Sequence, residues 1–217
     1  MAIDWNVISH AIPLLAEAAV VTIQIAAIAG VLEIVLGIAL GLMSLSRSRL
    51  VRWPIEAYVD IVRGTPLLVQ IFFVFFALPA IGIKLPEFWA GVVALSFNGA
   101  AFVSETVRGG VAAVEKGQSE AAESIGMVHR QVLVWILLPQ VFRQIVPPIT
   151  NELINLTKNT SLLSAISVFE LTRSAQSLVS VYFAPVEIFA LLALYYYVIV
   201  KVLSVASARL EAGLPRW

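Results

Sequence analysis

The chain has 217 residues, of which 60% are hydrophobic and 13% are charged, and its mean hydropathy is +0.93. A soluble domain carries about 25% charged residues, so this composition leaves too little polar surface for a water-soluble globule and predicts one bundle of membrane-spanning helices over residues 1–217. The formal net charge is zero, which gives no basis for nucleic-acid binding, and the absence of cysteine excludes disulfides, thiolate metal sites and a thiol nucleophile.

Five apolar stretches are long enough to cross a membrane as α-helices. They cover roughly residues 14–43, 53–79, 88–107, 148–168 and 186–207. The first has no Lys or Arg before it and is too long for a signal-peptide core, so we interpret it as a retained span. The fourth is the hardest to place, because prolines interrupt the apolar segment 131–168. The Pro147–Pro148 pair predicts an interfacial helix before it and a spanning helix after it.

Lys and Arg near the ends of these spans fall mainly on one side. The loop 44–53, the segment 108–147 and the C-terminal tail hold nine of them, whereas the opposite side holds Lys84 and Arg173. The positive-inside rule therefore predicts that the N-terminus faces out and the C-terminus faces the cytoplasm. Segment 108–147 is then the one long cytoplasmic connection. Connections beyond about 15 residues are usually functional, so we favour a docking role over a plain connector.

The second span contains the sequence Arg63-Gly64-Thr65-Pro66. Pro66 has no N–H to donate to the carbonyl of Val62, and Gly64 loosens the same turn, so this segment predicts a kink. Arg63 is expected to pair with Asp60, three residues earlier, or to reach a lipid phosphate, rather than to bind a solute.

The long cytoplasmic segment contains a spaced motif. Glu120-Ala121-Ala122 is followed by Gly126 after three residues and by Ile136-Leu137-Leu138-Pro139 after nine more. This order and spacing resemble the EAA loop in permease subunits of ATP-binding-cassette importers. The alanines allow a short helix to approach a partner closely, and Gly126 permits a sharp backbone turn after it.

Two further stretches are similar to the polar-amino-acid importers within that family. They are Arg63–Leu68 and Leu156–Leu162, although Asn159 departs from the Asp that the resemblance leads us to expect. The resemblance covers about residues 14–210, nearly the whole chain.

The resemblance implies a transport subunit rather than an enzyme, in the prokaryotic plasma (cytoplasmic or inner) membrane. Its coupling helix, formed by Glu120, Ala121, Ala122 and Gly126, would dock on a separate nucleotide-binding ATPase that holds ATP and Mg²⁺. The implied partners also include a second permease copy (or a paralogue), an extracellular or periplasmic solute-binding protein and an amino-acid substrate. Independently, no Walker A sequence occurs in the chain, so it cannot cradle ATP phosphates in that way.

The fourth span carries a polar stripe. Asn151, Asn155, Lys158 and Asn159 follow the i, i+4, i+7, i+8 spacing of one helical face, and Glu152 flanks it. An ionised group costs at least about 2.5–3.5 kcal/mol in the bilayer centre, so this face predicts either packed protein or a wet solute path. Asn98 and Glu105 lie on one side of the third span, at depths in the membrane that match those of the polar residues of the fourth span. The predicted solute-binding residues are Glu152, Asn98, Asn155, Asn151 and Glu105.

A cationic solute (arginine, lysine or histidine) is favoured because Glu152 and Lys158 point to different sides of their helix, whereas Glu105 can pair with Arg108. A neutral or acidic polar amino acid such as glutamine remains the alternative if Glu152 is paired elsewhere in a dimer. A gradient-driven carrier or channel subunit would predict paired broken spans, which the sequence does not show. A membrane enzyme would need a clustered acid–base or metal set, and His10 and His129 lack ligand spacing.

Overall fold

A computed structural model describes residues 4–213, apart from the side chain of Lys116, and helices dominate this part of the chain. The helices are α1 (Trp5–Ser44), α2 (Arg49–Gly64), α3 (Leu67–Phe72), α4 (Glu87–Ala112), α5 (Lys116–Ser124), α6 (His129–Gln131), α7 (Leu138–Asn159), α8 (Leu171–Tyr182) and α9 (Pro185–Ala212). No β-strand occurs among the described residues, which confirms the predicted all-α class. Arg216, counted above in the C-terminal tail, lies outside them.

Four continuous helical stretches are long and apolar enough to cross a membrane. They are Trp5–Ser44, Glu87–Ala112, His129–Ile166 and Pro185–Ala212. The fifth predicted span corresponds to a bent pair, Arg49–Gly64 with Leu67–Ile81, which is long and apolar enough to cross only if the two helices are taken together, and their axes differ by 110°. The kink predicted at Gly64–Pro66 is therefore present, as a complete break in the helix. These elements make the chain a multi-pass membrane protein.

The fourth span differs from the prediction. The Pro147–Pro148 pair lies inside α7, and the helix runs on without a boundary between an interfacial and a spanning part. A helix in lipid cannot release its backbone groups to water, so it tends to stay helical through proline. Packing also supports this region, because Ile145 and Ile149 on either side of the pair are buried in one cluster with α4.

Helix α4 is the centre of the bundle and α9 is its periphery. In the most apolar part of each helix, 72% of α4 is buried against 6% of α9. α1 packs closely on α4 because Gly37 and Gly41 face Val103 and Val107. A Cβ added to either glycine would come within 2.4 Å and 2.7 Å, respectively, of the facing valine Cβ. Small residues four apart are how membrane helices achieve such contact.

Candidate functional site: a polar helix face and the EAA segment

The EAA motif forms a short helix that ends in a tight turn, as predicted. Glu120 and Ala121 on α5 are exposed, whereas Ala122 is buried against the rest of the chain. Gly126 has a φ of +88°, and its N–H donates to the carbonyl of Glu123 at 2.9 Å. Because a positive φ disfavours side chains with a Cβ, the glycine sets the geometry of this corner.

The EAA segment lies close in the chain to α7, the helix that carries the polar stripe. A cavity of about 720 Å³ lies between α5, the π-helical turn Val132–Leu137 and the start of α7. Its lining includes Gln118 on α5 and Gln140 and Gln144 on α7. The turn Val132–Leu137 contacts both α5 and α7, so it joins the two helices structurally.

The polar stripe on α7 is largely uncovered. Asn151, Asn155 and Lys158 are exposed, while Glu152 and Asn159 are half-buried. Only 17% of the most apolar part of the His129–Ile166 segment is buried in the single chain. Amide and ammonium groups on a membrane-spanning helix cannot face hydrocarbon cheaply, so this surface needs a polar neighbour.

Glu152 is not neutralised by a direct cation contact. Its carboxylate interacts with the amide of Asn155 one turn on and is influenced by the charge of Lys158. Among the described side chains, no Lys or Arg forms an ion pair with it within 4 Å. A half-buried anion without such a partner can accept a cationic ligand.

Glu33, for which the sequence offered no interpretation, is completely buried between α1 and α4. A Cβ added to Gly99 would lie 1.6 Å from its Oε2 atom, so the glycine makes room for the carboxyl group. Neither carboxyl oxygen of Glu33 has a hydrogen-bond partner among the described residues. Glu33 also lies near enough to Glu152 for their charges to interact.

Glu105 belongs to a compact charge cluster. Its carboxylate accepts hydrogen bonds from Arg108 at 2.8 and 2.9 Å and from Arg63 at 3.5 Å. The Arg63 guanidinium also lies 5.6 Å from the centre of the Phe102 ring. The predicted Glu105–Arg108 pair is confirmed. The expected pairing of Arg63 with Asp60 is wrong, because α2 packs against α4 and places Arg63 beside Glu105.

This cluster borders a cavity of about 670 Å³ between α2 and α4, lined also by Glu56 and Asp60. With two guanidinium groups on one carboxylate, Glu105 is already neutralised in the single chain. The structure thus separates the two acids proposed as solute ligands: Glu105 is paired, whereas Glu152 is available.

Asn98 on α4 is buried and bonded to a residue that the sequence did not single out. Its Nδ2 donates to Oε1 of Gln70 at 3.0 Å. Gln70 in turn donates from Nε2 to the carbonyls of Val62 at 2.8 Å and Thr65 at 3.1 Å. The available signal was a glutamine four residues after a helix-breaking proline in an otherwise apolar run.

The fold and these features define a class: a multi-pass helical membrane protein with a polar helix face and an EAA-type segment. Residues 33–215 match the model of the family described as binding-protein-dependent transport system inner membrane component, and the chain belongs to this family. It is an inner-membrane transport component, in a family whose ATPase is a separate subunit.

Curated relatives match nearly end to end. The chain is 36% identical to the arginine transport system permease protein ArtQ of Bacillus subtilis (strain 168), covering 99% of this chain and 98% of ArtQ. It is 34% identical to the glutamine transport system permease protein GlnP of Escherichia coli (strain K12), covering 97% of each. A crystal structure of an amino acid ABC transporter with histidines matches with a TM-score of 0.90 and 32% identity, over 98% of this chain and 99% of that one.

Proposed function

We propose that this chain is the membrane-spanning subunit of an ATP-driven importer of polar amino acids and that its preferred solutes are cationic. The observation that carries the solute assignment is Glu152, a half-buried carboxylate without a cation contact among the described side chains. The amino-acid assignment is supported by the similarity of this chain to permeases named for arginine and glutamine and to the solved amino acid ABC transporter with histidines.

Two copies of the chain would enclose the solute path. A single copy leaves Asn151, Asn155 and Lys158 exposed on a membrane-spanning helix. A two-fold arrangement in which α7 of each copy lines a central path would give these groups polar surroundings. A homodimer is the simplest form of this assembly, and a paralogue in the second position would serve the same purpose.

The ATPase partner would dock on α5. This helix is short, projects Glu120 and Ala121 outward and ends at the rigid corner made by Gly126. Closure of two ATPase subunits would push on α5, and the turn Val132–Leu137, which contacts both α5 and α7, would carry the push to α7. A binding protein on the opposite face of the membrane would deliver the solute.

A neutral solute such as glutamine is the second candidate. It is favoured by the amide groups of Asn98, Asn151 and Asn155, which suit a polar uncharged side chain, and by the similarity to GlnP. In this case Glu152 would be neutralised by protonation or by a basic residue of the other copy.

Solute uptake separates the two candidates. The chain is reconstituted in liposomes with its cognate ATPase and binding protein, and uptake of radiolabelled arginine, lysine, histidine and glutamine is measured with and without internal ATP. We expect ATP-dependent uptake with at least one of the cationic amino acids at least about tenfold above glutamine, because an unpaired buried carboxylate favours a cation by more than about 1.4 kcal/mol. Preferential uptake of glutamine would contradict the cationic assignment, and uptake without ATP would contradict the importer.

We further propose that α5 and the α1–α2 loop face the cytoplasm and that α8 lies toward the outside. The chain contains no cysteine, so single cysteines report their location without background. Ser48→Cys and Gln118→Cys are expected to react with membrane-impermeant maleimide only after the cells are permeabilised, and Ser177→Cys in intact cells. Labelling of Ser48→Cys in intact cells would reverse the orientation.

A further inference from the structure

The break between α2 and α3 exposes a backbone carbonyl that Gln70 covers. In a continuous helix the carbonyl of Val62 would accept from the N–H of residue 66, but that residue is Pro66 and has no N–H. The side-chain Nε2 of Gln70 replaces this missing donor at 2.8 Å. Backbone groups inside a membrane must be satisfied by the protein, so this contact stabilises the break.

The surroundings of Gln70 determine which way its amide points. The carbonyl oxygens of Val62 and Thr65 can only accept hydrogen bonds. The Thr65 hydroxyl already donates to the carbonyl of Ile61 at 2.8 Å, so it too acts as an acceptor toward Gln70, at 3.0 Å. Three acceptors therefore face one amide group, which must present its nitrogen to them and its oxygen to the other side.

The orientation of Gln70 in turn determines the orientation of Asn98. Because the Gln70 oxygen points at Asn98, the Asn98 amide must present its nitrogen, and it does so at 3.0 Å. The carbonyl oxygen Oδ1 of Asn98 is then left as the acceptor end of the chain. Donation to Gln70 uses one of the two N–H groups of the Asn98 amide, so this contact fixes the directions in which its second N–H and its Oδ1 point.

We infer that Gln70 is a positioning residue that links the break after α2 to the solute site and fixes the orientation of the Asn98 amide. This inference rests on the proposed role of Asn98 in solute binding. It adds a positioning residue on a helix that carries none of the predicted ligands.

A double-mutant cycle tests this role. Gln70→Ala, Asn98→Ala and the double variant are purified with the ATPase, and binding of radiolabelled arginine to the detergent-solubilised complex is measured. Each single variant is expected to raise the Kd about tenfold, and the double variant is expected to be no weaker than the weaker single variant, because Gln70 acts through Asn98. Gln70→Glu keeps the size of the side chain but cannot donate to the two carbonyls when ionised. It is expected to raise the Kd for arginine at least as much as Gln70→Ala.

Gln176→Ala on α8 is the matched control, because it removes a half-buried glutamine at a different place in the bundle. It is expected to leave the Kd within about twofold. Thermal unfolding followed by tryptophan fluorescence identifies variants that simply fail to fold. Where arginine binding is too weak to measure, the same cycle is applied to the maximal rate of uptake.

Additive effects, with a loss of affinity of about 100-fold in the double variant, would mean that Gln70 does not act through Asn98 and is a purely structural residue. An unchanged Kd for Gln70→Ala would overturn the positioning role as well. If the wild-type protein carries none of the cationic amino acids, the proposed solute is wrong. The cycle is then measured with glutamine, and additive effects on glutamine binding would still overturn the positioning role of Gln70.

Discussion

Replacing Gly126 by valine is expected to reduce ATP-dependent uptake more than tenfold while the protein still inserts and folds. The substitution acts on the backbone alone, because a Cβ added at this position would meet nothing within 4 Å. With a φ of +88°, a β-branched residue costs at least about 1–2 kcal/mol and drives the chain toward another conformation. The corner after α5 would open, and the helix would no longer meet the ATPase in the geometry that transmits its closure.

Gly109→Val is the matched control, since Gly109 lies in α4, outside the proposed docking helix, has an ordinary helical φ and also has open space around its Cβ position. The two variants therefore differ in backbone strain rather than in side-chain bulk. Uptake and ATP hydrolysis are measured together in liposomes, so that loss of coupling is distinguished from loss of ATPase binding. Normal uptake by the Gly126 variant would exclude a coupling role for this corner.

The fold was predictable where one local pattern decides the outcome. The apolar length of the spans, the missing donor at Pro66 and the conformational freedom of Gly126 each depend on a few adjacent residues. The continuous path of α7 was not predictable in this way. The Pro147–Pro148 pair reads locally as a boundary, and only packing against α4 and the lack of competing water keep the segment helical.

The site was harder to predict for the same reason. The stripe on α7 could be read from its periodicity, since all of its members lie on one helix. Contacts between helices could not: Arg63 reaches Glu105 across 42 positions, and Asn98 reaches Gln70 across 28. The burial of Glu33 likewise depends on a contact between helices, because Gly99 of α4 leaves the space that its carboxyl group occupies.

Among the described side chains, Glu105 is paired with arginines and Glu152 is not, so a substitution of Glu152 gives the clearer test of solute binding. Glu105 is bound by two arginines, so its charge is used within the protein. Glu17, an exposed acid on α1, serves as a control for the general effect of removing a carboxylate from a span. Glu17→Gln is expected to transport arginine within about twofold of the wild-type rate, as surface substitutions away from a site usually have small effects.

Glu152→Gln is expected to reduce arginine uptake by about 100-fold or more while basal ATP hydrolysis and glutamine uptake change little. The substitution keeps the size of the side chain and its ability to accept a hydrogen bond, but it removes the negative charge. A guanidinium group entering the path would then be desolvated without a counter-charge, and leaving one member of a buried ion pair unpaired costs about 3–5 kcal/mol. Glutamine carries no side-chain charge, so its uptake does not depend on this counter-charge. Uptake of both amino acids is measured on the same liposome preparation. Equal losses for arginine and glutamine would mean that Glu152 serves the structure or the coupling of the transporter and does not select the charge of its solute.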